Sequence, residues 1–385
     1  MNIAYIHTGQ WPSNSPSFTF VTLNAIALAE YFSNIYLFVK KNNEEPTENI
    51  LKNNFDLVQP KNLHIELIET SKIVKTNLLY GKKIVKKLKE LVENKNLDII
   101  ITRNSRMLKF LLPFKLNNNV KLYYEAHDFY ADLSLRNDID IKKNRKEEKN
   151  EQTYLPHVTG IICLQNEQKE IYEKVFPTVK CYLARTGLQK VLNKNEEKKY
   201  LTYIGSLDQH KGILQLLKAL GKSESKPHLL IIGGKNDREI ESVKKEVSKY
   251  YEDSLVTITG WVNNKDLRKY LRQTAIGIVP LTDTFFNRFL TSPLKLFDYY
   301  SYSIPVIASD LPTSRELVLE GMTGFFFEEG NEQDLASTID KLFSNKTLID
   351  KMRYETYKHA HRFLWKNRAK AQYKIFKNKL HEKKN

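Results

Sequence analysis

The sequence predicts an α/β protein of two Rossmann-like, parallel-sheet domains, and three observations carry that prediction. Short β-branched runs alternate with longer amphipathic stretches, the signature of βαβ units. A polar, charged stretch at Gln189–Tyr200 interrupts the alternation, which then restarts. At 385 residues the chain is also too long for one ordinary core.

Taken in order, Asn2–Ile6 is the first strand, and Phe18–Phe32 follows as a helix with Val21, Ala25, Leu28 and Ala29 at helical spacing. The remaining strands of the first half are Ile35–Val39, His64–Ile68, Asp98–Ile101, Lys121–Glu125, Gly160–Leu164 and Lys180–Ala184. The second half supplies Leu201–Ile204, His228–Ile232, Leu255–Thr259, Ile276–Pro280, Pro305–Ala308 and Gly324–Phe327. The expected boundaries are a first domain at 1–188, a linker at 189–199, a second domain at 200–360 and a basic C-terminal helix at 361–385. Tyr357, Phe363, Trp365, Tyr373 and Phe376 are interleaved with Lys and Arg towards the end of the chain, and this helix is expected to pack back on the first domain. Two such halves imply a cleft, where ligands usually bind.

Composition narrows the classes. A hydrophobic fraction of 41% with 14 Gly and 12 Pro fits a globular chain and excludes a fibrous or disordered one. Cys163 and Cys181 lie in apolar strands without metal-ligand spacing and read as buried thiols suited to a reducing compartment. No leader-like pattern opens the chain, and no run approaches the roughly 18 apolar residues of a membrane span. A cytoplasmic location is expected, with a peripheral place at the inner face of the plasma membrane as an extension. Lys+Arg 61 against Asp+Glu 45 gives +16, which favours anionic partners. No nucleic-acid reader motif accompanies the lysines, so no nucleic acid is expected. Ser71–Asn96 carries Lys72, Lys75, Lys82, Lys83, Lys86, Lys87 and Lys89 around Ile73, Tyr80, Ile84, Leu88 and Leu91. Such a helix suits an anionic membrane surface, but an ordinary domain helix with a solvated lysine face is the favoured reading.

Two constellations carry chemistry. Tyr203-Ile204-Gly205-Ser206-Leu207, then Lys211-Gly212, puts a glycine at a strand end and a lysine before a helix. Backbone approach at Gly205, the helix N-terminus and the Lys211 charge together suit a diphosphate. Thr291-Ser292-Pro293-Leu294-Lys295-Leu296-Phe297-Asp298 reads as a helix start, with Ser292 as cap and Pro293 at the first helical position. Lys295 and Asp298, three apart, lie on one side of that helix. A cation for phosphate and a carboxylate for ribose hydroxyls would suit a nucleoside diphosphate; a surface ion pair is the plainer reading.

The stretch Ser292–Tyr299, with Ile304-Pro305-Val306-Ile307-Ala308-Ser309-Asp310-Leu311-Pro312, Arg315-Glu316 and Gly321-Met322-Thr323-Gly324-Phe325, resembles the donor-site signature of family 4 glycosyltransferases. The resemblance extends to the Gly205–Gly212 turn, Ile232-Gly233-Gly234, Gly260 and Tyr124-Glu125-Ala126-His127-Asp128-Phe129. It implies a GT-B fold and transfer of a sugar, with retention of configuration, from a nucleotide-sugar donor, UDP- or GDP-linked, to a glycan or lipid-linked acceptor. Lys211 would stabilise the leaving diphosphate. Thr291, Ser292 and the backbone of Pro293, Leu294 and Lys295 would cradle it, Asp298 would hold ribose, and His127 would face the transferred sugar. Gly9, Gly205 and Ser206 complete the implied substrate contacts.

Three departures from the family pattern stand out. Leu290 replaces the first of two glutamates and Asp298 the second, with Asp283 and Arg288 as candidate compensators. Ser206 replaces an arginine. Ser13-Asn14-Ser15-Pro16-Ser17 replaces a glycine-rich loop, with Gly9 the only glycine there. Asp138-Ile139-Asp140 matches a metal-binding pattern too short to carry weight, and neither a metal nor a bound cofactor is expected. The alternatives are a catalytically silent GT-B binder of nucleotide-sugars and a nucleotide-sugar epimerase of the same fold.

Overall fold

The computed structural model describes residues 1–70, 76–193, 199–208 and 211–381. The chain forms two compact units. One holds Met1–Thr186, Leu290–Ser292 and the chain from Trp365 on; the other holds Gly187–Phe289 and Pro293–Leu364.

The first unit alternates β1 (Asn2–Trp11), α1 (Pro16–Leu28), β2 (Asn34–Lys41), α2 (Thr47–Phe55), β3 (Leu63–Ile68), α3 (Thr76–Glu93) and β4 (Ile99–Thr102). It continues with α4 (Ser105–Asn117), β5 (Lys121–Glu125), α5 (Ile141–Tyr154), β6 (Gly160–Cys163), α6 (Asn166–Val175) and β7 (Cys181–Leu183). Its seven strands lie in the order β3-β2-β1-β4-β5-β6-β7. Every pairing is parallel, as crossover helices require. The first strand runs well past the expected Ile6: after a register shift between Ile6 and Gln10 it pairs with β2 again. The first helix starts earlier than expected because Ser15 caps it, accepting from the Phe18 N–H, and Pro16 fills the first turn. The Ser13–Ser17 segment, which replaces the family's glycine-rich loop, therefore caps a helix.

The second unit holds β8 (Tyr200–Ile204), α7 (Ile213–Lys222), β9 (Leu229–Ile232), α8 (Asp237–Tyr250), β10 (Val256–Ile258), α9 (Asn264–Arg272) and β11 (Thr274–Val279). Then come α10 (Leu294–Ser301), β12 (Val306–Ser309), α11 (Pro312–Arg315), β13 (Gly324–Phe327), α12 (Glu332–Phe343) and α13 (Lys346–Ala360). Its six strands run β10-β9-β8-β11-β12-β13, all parallel. Counted from β8 this is the doubly wound order 3-2-1-4-5-6. One core face gathers Leu201, Tyr203, Leu216, Ile231, Ile276 and Ile339; the other gathers Val279, Leu296, Tyr299, Tyr300, Val306 and Phe363.

The last helix, α14 (Trp365–His381), belongs to the first unit, where Trp365, Ala369 and Phe376 join the core of Tyr5, Phe20 and Tyr123. The stretch expected to be a linker is partly built into the second unit. Leu192 exchanges hydrogen bonds there with Ser301 and Ser303, and Leu188, expected as the last residue of the first domain, is also buried in the second unit, its N–H donating to the Phe363 carbonyl at 2.7 Å. Residues 194–198 of that stretch lie outside the described residues, as do Lys72, Ile73 and Lys75 of the basic segment. In α3 the stripe Tyr80, Ile84 and Leu88 is fully buried while Lys82, Lys83, Lys86, Lys87 and Lys89 are exposed, so its apolar face serves the domain core. No described helix is long and apolar enough to cross a membrane.

Candidate functional site

In the second unit the strand order reverses between β8 and β11, and the ends of these strands border the crevice where doubly wound sheets bind ligands. Gly205 follows β8, and its carbonyl is so close to Gly233 that a Cβ there would sit 1.8 Å from it. Gly212, at φ +73° and capping α7, lies against the end of β11: a Cβ would fall 1.5 Å from the Pro280 carbonyl oxygen. Only glycine lets the N-terminus of α7 settle this deeply onto the sheet edge. The result is a helix N-terminus, favourable to anions, facing the switch point.

Lys295, in the first turn of α10, reaches the same place. Its Nζ lies 3.5 Å from where a Gly205 Cβ would stand and 4.5 Å from the centroid of the Tyr203 ring. The Nζ is buried and has no hydrogen-bond partner among the described residues. Burial, then the nearby Lys211 charge, lowers this ammonium to about 7, against a smaller pull from Asp208. Lys211 lies with its Nζ 5.8 Å from the Phe286 ring centroid. Two cations that repel one another, beside a helix N-terminus and glycine backbone, form a site that an anion would complete.

The other expected contacts divide. Ser206 donates its hydroxyl to Asp208 at 2.5 Å and its carbonyl accepts from the Tyr203 hydroxyl at 2.6 Å, so it supplies no cation and braces the loop. The cap of α10 is Pro293, not Ser292, and no side chain bonds to the first turn. Proline takes the cap with extended ψ, and helical residues begin at Leu294. Ser292 instead donates to the Thr186 hydroxyl at 2.7 Å, while the Thr291 carbonyl accepts from Gln165 Nε2 at 2.9 Å, both within the first unit. Asp298 is half-buried, and burial raises its carboxyl to about 7. No ion pair joins it to Lys295 among the described residues, so the plain surface-pair reading does not hold. Leu290 is buried, and Arg288 Nε donates to Asp283 at 2.8 Å, so the two candidate compensators bind each other. Asp138 is paired with Arg136 and Asp140 caps α5, which assigns both members of the Asp-Ile-Asp pattern to local structure.

In the first unit, His127 Nε2 lies 2.7 Å from Glu125 Oε1. Burial pushes the Glu125 carboxyl up, but Arg368 and His127 more than reverse this and hold it below the usual carboxylate range. An ionised carboxylate only accepts, so Nε2 carries the proton and Nδ1 is left as an acceptor. Burial, then the charge of Arg103, lowers the imidazole to about 4, so it is neutral near pH 7. Gly9 is not in a loop but inside β1, where a Cβ would lie 2.3 Å from His7 Nε2. Sequence reasoning missed His7, Arg103 and Arg368, which come from separate elements; strand register, not any local motif, brings the first two beside Glu125.

Comparison with known proteins bears on part of the chain. Residues 185–359 match the family described as glycosyl transferases group 1. A protein of the cps region of Klebsiella pneumoniae, described as uncharacterized, is 30% identical over 149 residues, 37% of this chain and 38% of that protein. The chain covers less than half the length of the curated relatives it matches. A sucrose-phosphate synthase from Thermosynechococcus elongatus superposes with TM-score 0.76 at 16% identity, covering 99% of each chain. Anabaena HepE, solved in complex with UDP, gives TM-score 0.74 at 14% identity, covering 98% of this chain and 100% of that one. At such identities the likeness is one of fold, the GT-B arrangement of two Rossmann-like domains.

Proposed function

We propose, from the match of residues 185–359 to the group 1 glycosyl transferases, that the chain transfers a sugar from a nucleoside diphosphate donor to a glycan or lipid-linked acceptor, retaining configuration. One observation supports the donor assignment most strongly: the Lys295 ammonium at the switch point of the second unit, without a hydrogen-bond partner among the described residues and with Lys211 beside it. In this reading the two lysines and the α7 N-terminus stabilise charge on the departing diphosphate. Asp298 holds the ribose. His127, neutral, with Nδ1 unprotonated, accepts a hydroxyl of the transferred sugar. UDP is the first donor nucleotide to try, because the HepE structure contains it; GDP is the second.

The test is a thermal-shift panel of UDP, GDP and their sugar conjugates, since a ligand of the native state must raise the melting temperature. Product analysis by NMR then reads the anomeric configuration. Stabilisation by one diphosphate and an anomer matching the donor are expected; no stabilisation by any nucleotide overturns the assignment. The buried Leu290 and the mutual pairing of Asp283 and Arg288 favour a second reading, a silent nucleotide-sugar binder. Donor hydrolysis abolished in Lys211→Ala would eliminate it.

A cytoplasmic protein with peripheral contact to an anionic membrane is part of the same proposal. With the α3 stripe buried, that contact would rest on its exposed lysines and weaken with salt. Equal partition onto neutral and anionic vesicles would count against it.

A further inference from the structure

The first sheet has its own switch point, between β1 and β4, and it presents a row of charged and polar groups unlike the one just described. Ile6 pairs with Thr102, and Thr102 with Tyr124. The next residues, His7, Arg103 and Glu125, therefore stand side by side at the carboxyl edge of the sheet. Glu125 is saturated: Arg368 Nη2 and His127 Nε2 each lie 2.7 Å from its oxygens, and the Tyr5 hydroxyl 2.9 Å. Arg103 has no such partner among the described residues. Its Nη1 is buried without a hydrogen bond, and so is His7 Nε2. Arg103 and Arg368 each lie 5.0 Å from the ring centroid of Phe20. Two guanidiniums against one carboxylate leave a positive charge unbalanced in a desolvated place, which is costly unless an anion joins it.

We propose that His7 and Arg103 form a recognition site for an anionic group, a carboxylate or a phosphate, carried by the sugar acceptor. The assignment to the acceptor rests on the reading above, in which the donor diphosphate belongs to Lys211 and Lys295 of the other unit. The Arg103 fork would hold the anion in charge-assisted hydrogen bonds. His7, with its ring beside the bare backbone of Gly9, would add one N–H.

The experiment measures melting temperatures of the full chain with glucuronate, glucose 6-phosphate, glucose or UDP, in wild type, Arg103→Met and His7→Phe. Glucuronate, glucose 6-phosphate or both are expected to stabilise the wild type while glucose does not; whichever acts names carboxylate or phosphate. Arg103→Met is expected to weaken that binding about tenfold or more, from loss of the charge-assisted bonds, and to keep the UDP shift. His7→Phe is expected to weaken it less. No shift with either anionic sugar, or an undiminished shift in Arg103→Met, overturns the proposal. Should Arg103→Met fail to fold, His7→Phe decides on the same readout, an undiminished shift being the adverse result. A missing UDP shift beside a persisting acidic-sugar shift would sink the donor reading and leave this site standing as an anion site.

Discussion

The Lys295 ammonium sits 4.5 Å from the ring centroid of Tyr203, whose hydroxyl is bound to the Ser206 carbonyl 2.6 Å away. The ring thus faces the cation with its π surface while its one polar atom is engaged elsewhere. Attraction to an aromatic face is worth about 0.5–2 kcal/mol, less than a buried ammonium loses by giving up water. The lysine is positioned but not satisfied.

Replacing either lysine separates the roles of charge and fold. Lys211→Met and Lys295→Met should each lower transfer by about 2–4 kcal/mol of transition-state stabilisation. Lys295→Met should not lower the melting temperature of the free protein, because it removes an unpaired cation. Normal turnover in both variants, measured by nucleoside diphosphate release, would place the donor elsewhere.

Binding of the diphosphate should depend on pH through Lys295. Its ammonium titrates near 7 in the free protein, and a bound anion would raise that value. Above about pH 7 binding must then take up a proton, so affinity falls as pH rises, by at most about tenfold per unit. Calorimetry with UDP in buffers of differing ionisation enthalpy checks this. The slope should vanish in Lys295→Met, and a flat profile in the wild type contradicts the assignment.

Asp298 makes a separate prediction, for stability. Its carboxyl is raised to about 7 in the folded chain by burial, against about 3.9 when unfolded. The folded state therefore holds the proton more tightly. Its stabilising contribution is complete below about pH 4 and is lost as pH rises through 7. Asp298→Asn should accordingly melt higher than the wild type at about pH 8 and nearly equal to it at about pH 4. The same variant should bind UDP more weakly if the ribose role is right.

Removing one partner of the Glu125–Arg368 pair tests how the last helix is held. Both side chains are almost wholly buried, at 0% and 1% exposure. Glu125→Gln would leave Arg368 uncompensated and should cost about 3–5 kcal/mol. Urea denaturation followed by circular dichroism reads this directly; a loss below about 1 kcal/mol would mean Arg368 is held by its other contacts alone.

All seven strands of the first sheet and all six of the second were legible, because parallel strands buried on both faces read as β-branched runs. What escaped was governed by polar sequence. β1 continues through His7-Thr8-Gly9-Gln10, which has no apolar pattern, and α2 at Thr47–Phe55 is too polar to announce itself. The Gly205–Gly212 and Leu294–Asp298 segments could be singled out because each carries its glycines or charges within a few residues. Whether Lys295 was paired could not be read, since that depends on the side chains opposite. The row of His7, Arg103 and Glu125 was invisible for a related reason: register alone assembles it, from residues far apart in the sequence.

Trp365, Ala369 and Phe376 complete the same core as Tyr5 and Phe20. During synthesis the unit begun first is thus the one finished last: its opening strands wait, with apolar surface uncovered, until the ribosome has made more than 360 residues. The later unit can close its core before then. Chaperone dependence should therefore concentrate on the early half of the chain, and a frameshift or stop codon just before Trp365 should damage the distant N-terminal strands more than the residues next to it.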